Sequence, residues 1–170
     1  NIAIVHNKIR QYRLPLFEAL SAEYDVKYYI FEENSGNYPL DVIFTNEMEL
    51  FHEILHESFD VVILPDYVFL EAWIAGVAAK ISGSRVVSWT EIWDMPHTPI
   101  WKRLIKRSLA FSMGMLADSF IVPGRQSKEF LQIFPHIKDK DIFLAPNAMN
   151  LSENEGQMLD KYDINTDKHI

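Results

Sequence analysis

Polar side chains collect just beyond the ends of short apolar runs, and their types suit holding sugars and phosphates. After residues 86–89 comes Thr90-Glu91-Ile92-Trp93-Asp94-Met95-Pro96-His97, which brings carboxylates, an indole and an imidazole together. Aromatic faces stack on sugar rings and carboxylates accept from sugar hydroxyls, so this composition suits carbohydrate binding. A Trp beside a strand end is nonetheless more often core than platform. Asp66 and Tyr67 follow the run Val61–Leu64, and Gly124 and Arg125 follow Ser119–Val122. Beyond Ile2–His6 lie Asn7, Lys8, Arg10 and Gln11, whose side chains can reach a hydroxyl or a phosphate. Arg10 and Arg13 can hold an anion, because a guanidinium matches phosphate in a bidentate fork.

A second group has the spacing of a metal site. His52-Glu53-Ile54-Leu55-His56 matches the zinc-protease string H-E-x-x-H, with both histidines one helical turn apart. The surroundings argue for no metal. The pair flanks an apolar stripe of Met48, Phe51, Leu55 and Phe59, the helix lies between strands of a parallel sheet, and no third ligand follows.

Alternating strands and helices must position these groups. Residues 61–64 and 119–122 read as buried strands and residues 26–31 as another, while 13–23, 68–82 and 127–134 carry apolar residues at helical spacing. Asn46 with Glu49 forms a capping box, and Thr98 with Pro99 is expected to cap and open a helix reaching Leu116. The pattern predicts an α/β domain with a doubly wound, mainly parallel sheet of about seven strands and helices on both faces. Its ligand crevice belongs at the carboxyl ends of the strands. The first loop lacks glycine, so no dinucleotide cofactor is expected in this domain. The first strand ends in His6-Asn7-Lys8 rather than an acidic pair, which leaves a receiver-type binding domain without support.

The stretch ADSFIVPGRQSKEFLQIFPHIKDKDIFLAPN, residues 117–147, resembles the end of the N-terminal half of a two-domain GT-B glycosyltransferase of the family 4 type. The opening, IAIVHNKIRQYRLPLFEALSAEYDVKYYIF, is similar to that family's first strand, loop and second strand, so the resemblance spans residues 2–150. It implies a Rossmann-like acceptor-side domain over residues 1–150 and a linker, 151–170, toward a C-terminal donor-binding domain. It implies transfer of a sugar from a nucleotide-sugar donor to a glycan or lipid-linked acceptor, with retention, and an isolated half that is inactive. The donor would bind mainly the second domain. A sugar-nucleotide epimerase of the same two-domain fold is the nearest alternative, and a stand-alone ligand-binding domain is a third.

Where many family members place a histidine after the fifth strand, this chain has Thr90 with Glu91 beside it. The resemblance therefore casts these two as catalytic, with Glu91 taking the acceptor proton. It casts His6, Asn7, Arg10, Arg13, Asp66, Tyr67, Trp93, Gly124 and Arg125 as substrate-binding. Glu49 and Glu57 copy the spacing of the family's paired glutamates, but those belong to the other domain, so here they mark a solvent face.

Composition fits this reading. The chain has 170 residues, 48% hydrophobic, with a formal net charge of −8 and no cysteine. Acidity disfavours nucleic acid as a partner, since that affinity comes from clustered cations facing phosphates, and a reducing cytoplasm is compatible with the missing cysteines. One segment runs against the general charge. Trp101, Lys102, Arg103, Lys106 and Arg107 lie in an apolar and basic helix of interfacial type, which suggests peripheral contact at the inner face of a membrane. The competing expectation is a sheet-covering helix whose basic face is solvated.

Overall fold

The computed structural model describes residues 1–10, 13–31, 40–92 and 98–146. The element order is β1 (Ile2–His6), α1 (Leu14–Glu23), β2 (Val26–Ile30), β3 (Val42–Phe44), α2 (Glu47–His56), β4 (Val61–Leu64), α3 (Leu70–Ser82), β5 (Arg85–Trp89), α4 (Ile100–Leu116), β6 (Ser119–Val122), α5 (Arg125–Leu131) and β7 (Ile142–Leu144). The strands form one seven-stranded sheet in the order β3-β2-β1-β4-β5-β6-β7. Every pair is parallel. This is the Rossmann-like α/β fold that the alternation of strands and helices predicts.

Strand side chains alternate between two cores, as the pleat requires. Ala3, Val5 and Tyr29 join Leu50 and Ile54 of α2, four alanines of α3, and Ala110 and Met113 of α4 on one face. Ile4, Tyr28, Ile30 and Trp89 meet Phe17 of α1 on the other. The small residues of α3 set its distance from the neighbouring layers. A Cβ added at Gly76 would stand 2.7 Å from Leu116 Cδ2 and 3.0 Å from Leu64 Cδ1, so helix and strand approach here as closely as a hydrogen allows. Gly83, at φ 86, ends α3 in the left-handed conformation and returns its N–H to the carbonyls of Ala79 and Lys80.

Four helices differ from the expectations, α5 by running Arg125–Leu131 rather than over 127–134. Asn46 does cap α2, accepting from the N–H groups of Met48 and Glu49. The buried stripe is Leu50 and Ile54, however, with Phe51 only partly covered and Met48 largely exposed. The alanine face of α3 selects this rotation. His52 and His56 lie exposed on α2 with rings stacked 6.0 Å apart. Glu57 does not mark a solvent face: it is the C-cap, half-buried, and its carboxylate accepts from Lys27 Nζ at 2.6 Å.

Helix α4 begins one residue later than expected, because Pro99 is itself the cap, at ψ 142, and no side chain caps the helix. Its rotation is inverted as well. Arg103 and Lys106 are half-buried on the inward side, Arg107 is half-buried on the flank and Lys102 is exposed, while Ile100, Trp101, Leu104 and Ile105 point outward. The solvated basic face is therefore not what the fold presents. Helix α3 starts at Leu70 rather than Val68, behind the extended residue Phe69. No helix among the described residues is long and apolar enough to cross a membrane. The proposed linker, residues 151–170, lies outside the described residues.

Candidate functional site

The sheet order reverses between β1 and β4, since the chain leaves β1 toward β2 and leaves β4 toward β5. Loops that depart in opposite directions open a crevice at the carboxyl edge, and that is where open α/β sheets bind ligands. His6 ends β1, Asp66 follows β4, and Thr90 and Glu91 follow β5, which is paired with β4. Parallel register brings these groups, separated by long stretches of chain, to one edge.

Arg13 ties them together. It is buried at the N-cap of α1, where its N–H donates to the carbonyl of Arg10 at 2.9 Å. One guanidinium nitrogen donates to Glu91 Oε1 at 2.6 Å and the other faces His6 Nε2 at 2.5 Å. The guanidinium carbon sits 4.5 Å above the centre of the Trp89 ring. Burying such a cation is tolerated because a carboxylate, an imidazole and a π-face all meet it. The backbone N–H of Lys8 approaches the other ring nitrogen of His6 at 3.2 Å. Neutral imidazole has one acceptor nitrogen, and the shorter, charge-assisted contact claims it. Nε2 therefore accepts from Arg13 and the ring proton resides on Nδ1.

Asp66 is the second centre. Its Oδ1 accepts from the hydroxyl of the wholly buried Thr90 at 3.0 Å, and the Thr90 oxygen accepts from the N–H of Ile92 at 3.3 Å. The backbone N–H groups of Glu91 and Tyr67 also donate to the Asp66 carboxylate. Tyr67 is fully buried, and its carbonyl accepts from Trp73 Nε1 at 2.9 Å.

His6 and Asp66 are displaced from their ordinary titration in opposite senses. Burial first, then the guanidiniums of Arg13 and Arg10, pushes His6 from 6.5 down to about 4. Burial pushes Asp66 from 3.8 up to about 6 against its hydrogen bonds, and the Glu91 charge adds to the rise. Folded His6 thus binds fewer protons than unfolded His6 between about pH 4 and 6.5, so its contribution to stability grows as pH rises through that window. Folded Asp66 binds more protons than unfolded Asp66 between about pH 3.8 and 6, so its contribution shrinks. Each effect is on the order of 2–3 kcal/mol, and they largely cancel. In urea titrations, Asp66→Asn should make stability rise more steeply with pH than in the wild type, and His6→Gln should make it fall. Three parallel profiles would refute the displacement of both groups.

The remaining sequence candidates are placed as follows. Asn7 is half-buried and Arg10 exposed, both in the loop beside His6. Trp93 lies outside the described residues, as do Asp94 and His97. Gly124 and Arg125 sit at the end of β6, two strands from β4, where the exposed Arg125 approaches Glu129 at 3.6 Å. Arg125 lines a separate groove with Lys128, Glu129, Gln132 and Leu144. Arg13 does not extend into the loop as an anion holder, because its guanidinium is occupied within the protein. The sequence reading missed Trp89 as the cation's platform and Asp66 as a titrating group. The only signal for either was position at the end of a buried strand. Among the described residues no group of three or more His, Asp or Glu could hold a metal ion.

No family model matches the chain, and no curated protein matches it. Among solved structures it is similar to a UDP-N-acetylglucosamine 2-epimerase, with a TM-score of 0.58 and 14% identity. The match covers 84% of this chain and 47% of that one, so the chain spans about half the length of the structure it resembles. At such low identity the likeness concerns the fold alone.

Proposed function

We propose that the crevice at the ends of β1, β4 and β5 acts on the sugar of a nucleotide sugar, transferring it to a glycan or lipid-linked acceptor. In this reading the chain supplies the acceptor side, and the nucleotide is held mainly by a second domain. The observation that carries it is Asp66, a carboxyl at the switch point that burial brings to about 6. A general base works best when its pKa lies near the working pH, because it is then both ionised and able to take a proton. Asp66 would remove the proton of the attacking hydroxyl, with Thr90 fixing its orientation. Glu91, held by Arg13, would accept hydrogen bonds from the sugar rather than serve as the base. His6 would stay uncharged beside Arg13.

Epimerisation of a sugar nucleotide is the second reading, and the fold likeness to a UDP-N-acetylglucosamine 2-epimerase supports it. There the same carboxylate would exchange a carbon-bound proton. Incubating the intact protein with a panel of nucleotide sugars and acceptor glycans in deuterated water, followed by NMR, separates the two. Transfer predicts a new glycosidic bond, free nucleotide and no deuterium on the sugar carbons. Deuterium at an inverted carbon would replace transfer by epimerisation, and the absence of both reactions would overturn both readings.

A further inference from the structure

Helix α4 turns its apolar side away from the protein. Ile100, Trp101, Leu104, Ile105 and Met115 are each between 52% and 74% exposed, Phe111 is 47% exposed while its ring also meets those of His136 at 4.7 Å and Phe134 at 6.4 Å, and Ala110 and Met113 are buried. At about 100° per residue, the outward residues fill one arc of about 140°, directly opposite the buried pair. Ser108 and Ser112, both exposed, lie within that arc. Lys102 and Arg107 fall at its two borders, with Arg103 and Lys106 farther round. The arc runs the length of a 17-residue helix, about 25 Å.

The chain's charge is segregated around this helix. Residues 98–117 hold four Lys and Arg and no Asp or Glu, in a protein with 24 acidic and 16 basic residues. Trp101 carries the Lys102 ammonium 5.3 Å from its ring centre, an arrangement suited to a boundary between apolar and aqueous phases. A surface that is apolar below and anionic above complements both the arc and its borders.

We propose that α4 docks on the surface of an anionic lipid bilayer, its apolar arc entering the headgroup boundary and the exposed Lys102 at its border meeting lipid phosphates. In chain order α4 is the element after β5, whose end is followed by Thr90 and Glu91, so in this parallel sheet the helix starts on the side of the edge that holds the crevice. The apolar arc makes the contact here, in place of the basic face that the sequence alone suggested.

The test is co-sedimentation of the intact protein with vesicles of phosphatidylcholine, alone or mixed with phosphatidylglycerol, scored by bound fraction and not by activity. The protein should bind the anionic vesicles, bind neutral ones at least tenfold more weakly, and dissociate as salt is raised. Ser108→Asp puts a carboxylate in the middle of the arc without touching the core, and should reduce binding at least tenfold at unchanged circular dichroism. The combined Trp101→Ser and Leu104→Ser variant should behave alike. No binding by the wild type, equal binding by Ser108→Asp, or equal binding to both vesicle types would overturn the proposal. A dimer that Ser108→Asp dissociates, in a protein that ignores vesicles, would assign the face to self-association instead.

Discussion

Asp66→Asn should lower turnover of the intact protein by about 10²- to 10⁴-fold at neutral pH, the usual range for a lost general base. Asn keeps the size and one oxygen to accept from Thr90, but it cannot take a proton. The melting temperature should move by only a few degrees, about what 1 kcal/mol produces in a domain of this size. Two opposing effects keep it small. Removing a carboxylate that burial disfavours stabilises, while the new amide turns a donor toward backbone N–H groups that the carboxylate accepted from. The pH profile gives the more specific readout. Wild-type activity should rise as pH increases through about 6, where Asp66 ionises, and that limb should be missing from the residual activity of the variant. Near wild-type turnover in Asp66→Asn would remove it from the mechanism. Glu91→Gln is the useful contrast. Its carboxylate is engaged by Arg13, so its loss should cost less turnover than the loss of Asp66.

The parts of this structure that were legible in the sequence are those where one local pattern admits one solution. Val61–Leu64 is an uninterrupted apolar run between Asp60 and Pro65, and a strand covered on both faces accommodates it, with Val62 and Leu64 buried and Val61 and Ile63 half-buried. Repetition of such runs with intervening helices gave the parallel sheet, and strand order then placed His6, Asp66, Thr90 and Glu91 on one edge. What stayed hidden depends on contacts between elements. Helix α4 has an apolar arc and a basic arc of similar width, and its hydrophobic pattern alone points the wrong one inward. Ala110 and Met113 decide it, because a small and a flexible side chain fit close to the sheet where Trp101 and Ile105 would not. Helix α2 poses the same ambiguity between its two apolar stripes. The pairing of Arg13 with Glu91 spans 78 positions and crosses from α1 to β5, so no motif could disclose it. The displaced titration of Asp66 is hidden in the same way, because it follows from burial against elements remote in sequence and prevails over the hydrogen bond from Thr90, 24 positions on.

Phe17→Ala should destabilise the protein by about 3–5 kcal/mol, the cost of removing a fully buried ring and leaving its cavity. That is a large share of the roughly 5–15 kcal/mol that holds a domain folded. Phe17 is the only fully buried residue of α1, so this ring is the centre of that helix's attachment to the sheet, with Leu14 and Leu20 packed beside it and Ser21 bonded to Tyr28. It lies 5.1 Å from the Tyr28 ring and meets Trp89 edge-on at 6.5 Å. The Tyr28 hydroxyl donates to the Phe17 carbonyl at 2.8 Å, a backbone contact that alanine retains, so the loss isolates the side chain. The consequence reaches the crevice by a short route. The Arg13 guanidinium lies over Trp89, and Arg13 occupies the N-cap position of α1, so a helix that settles into the cavity draws Arg13 away from Glu91 and His6. Urea unfolding should show a lower midpoint with an unchanged slope, and Phe17→Leu should recover part of the loss. Activity measured well below the melting temperature should also fall, because Glu91 loses its anchor while Asp66 keeps Thr90. A destabilisation under about 1 kcal/mol would mean that the site refills, and α1 would then be held by contacts other than this ring.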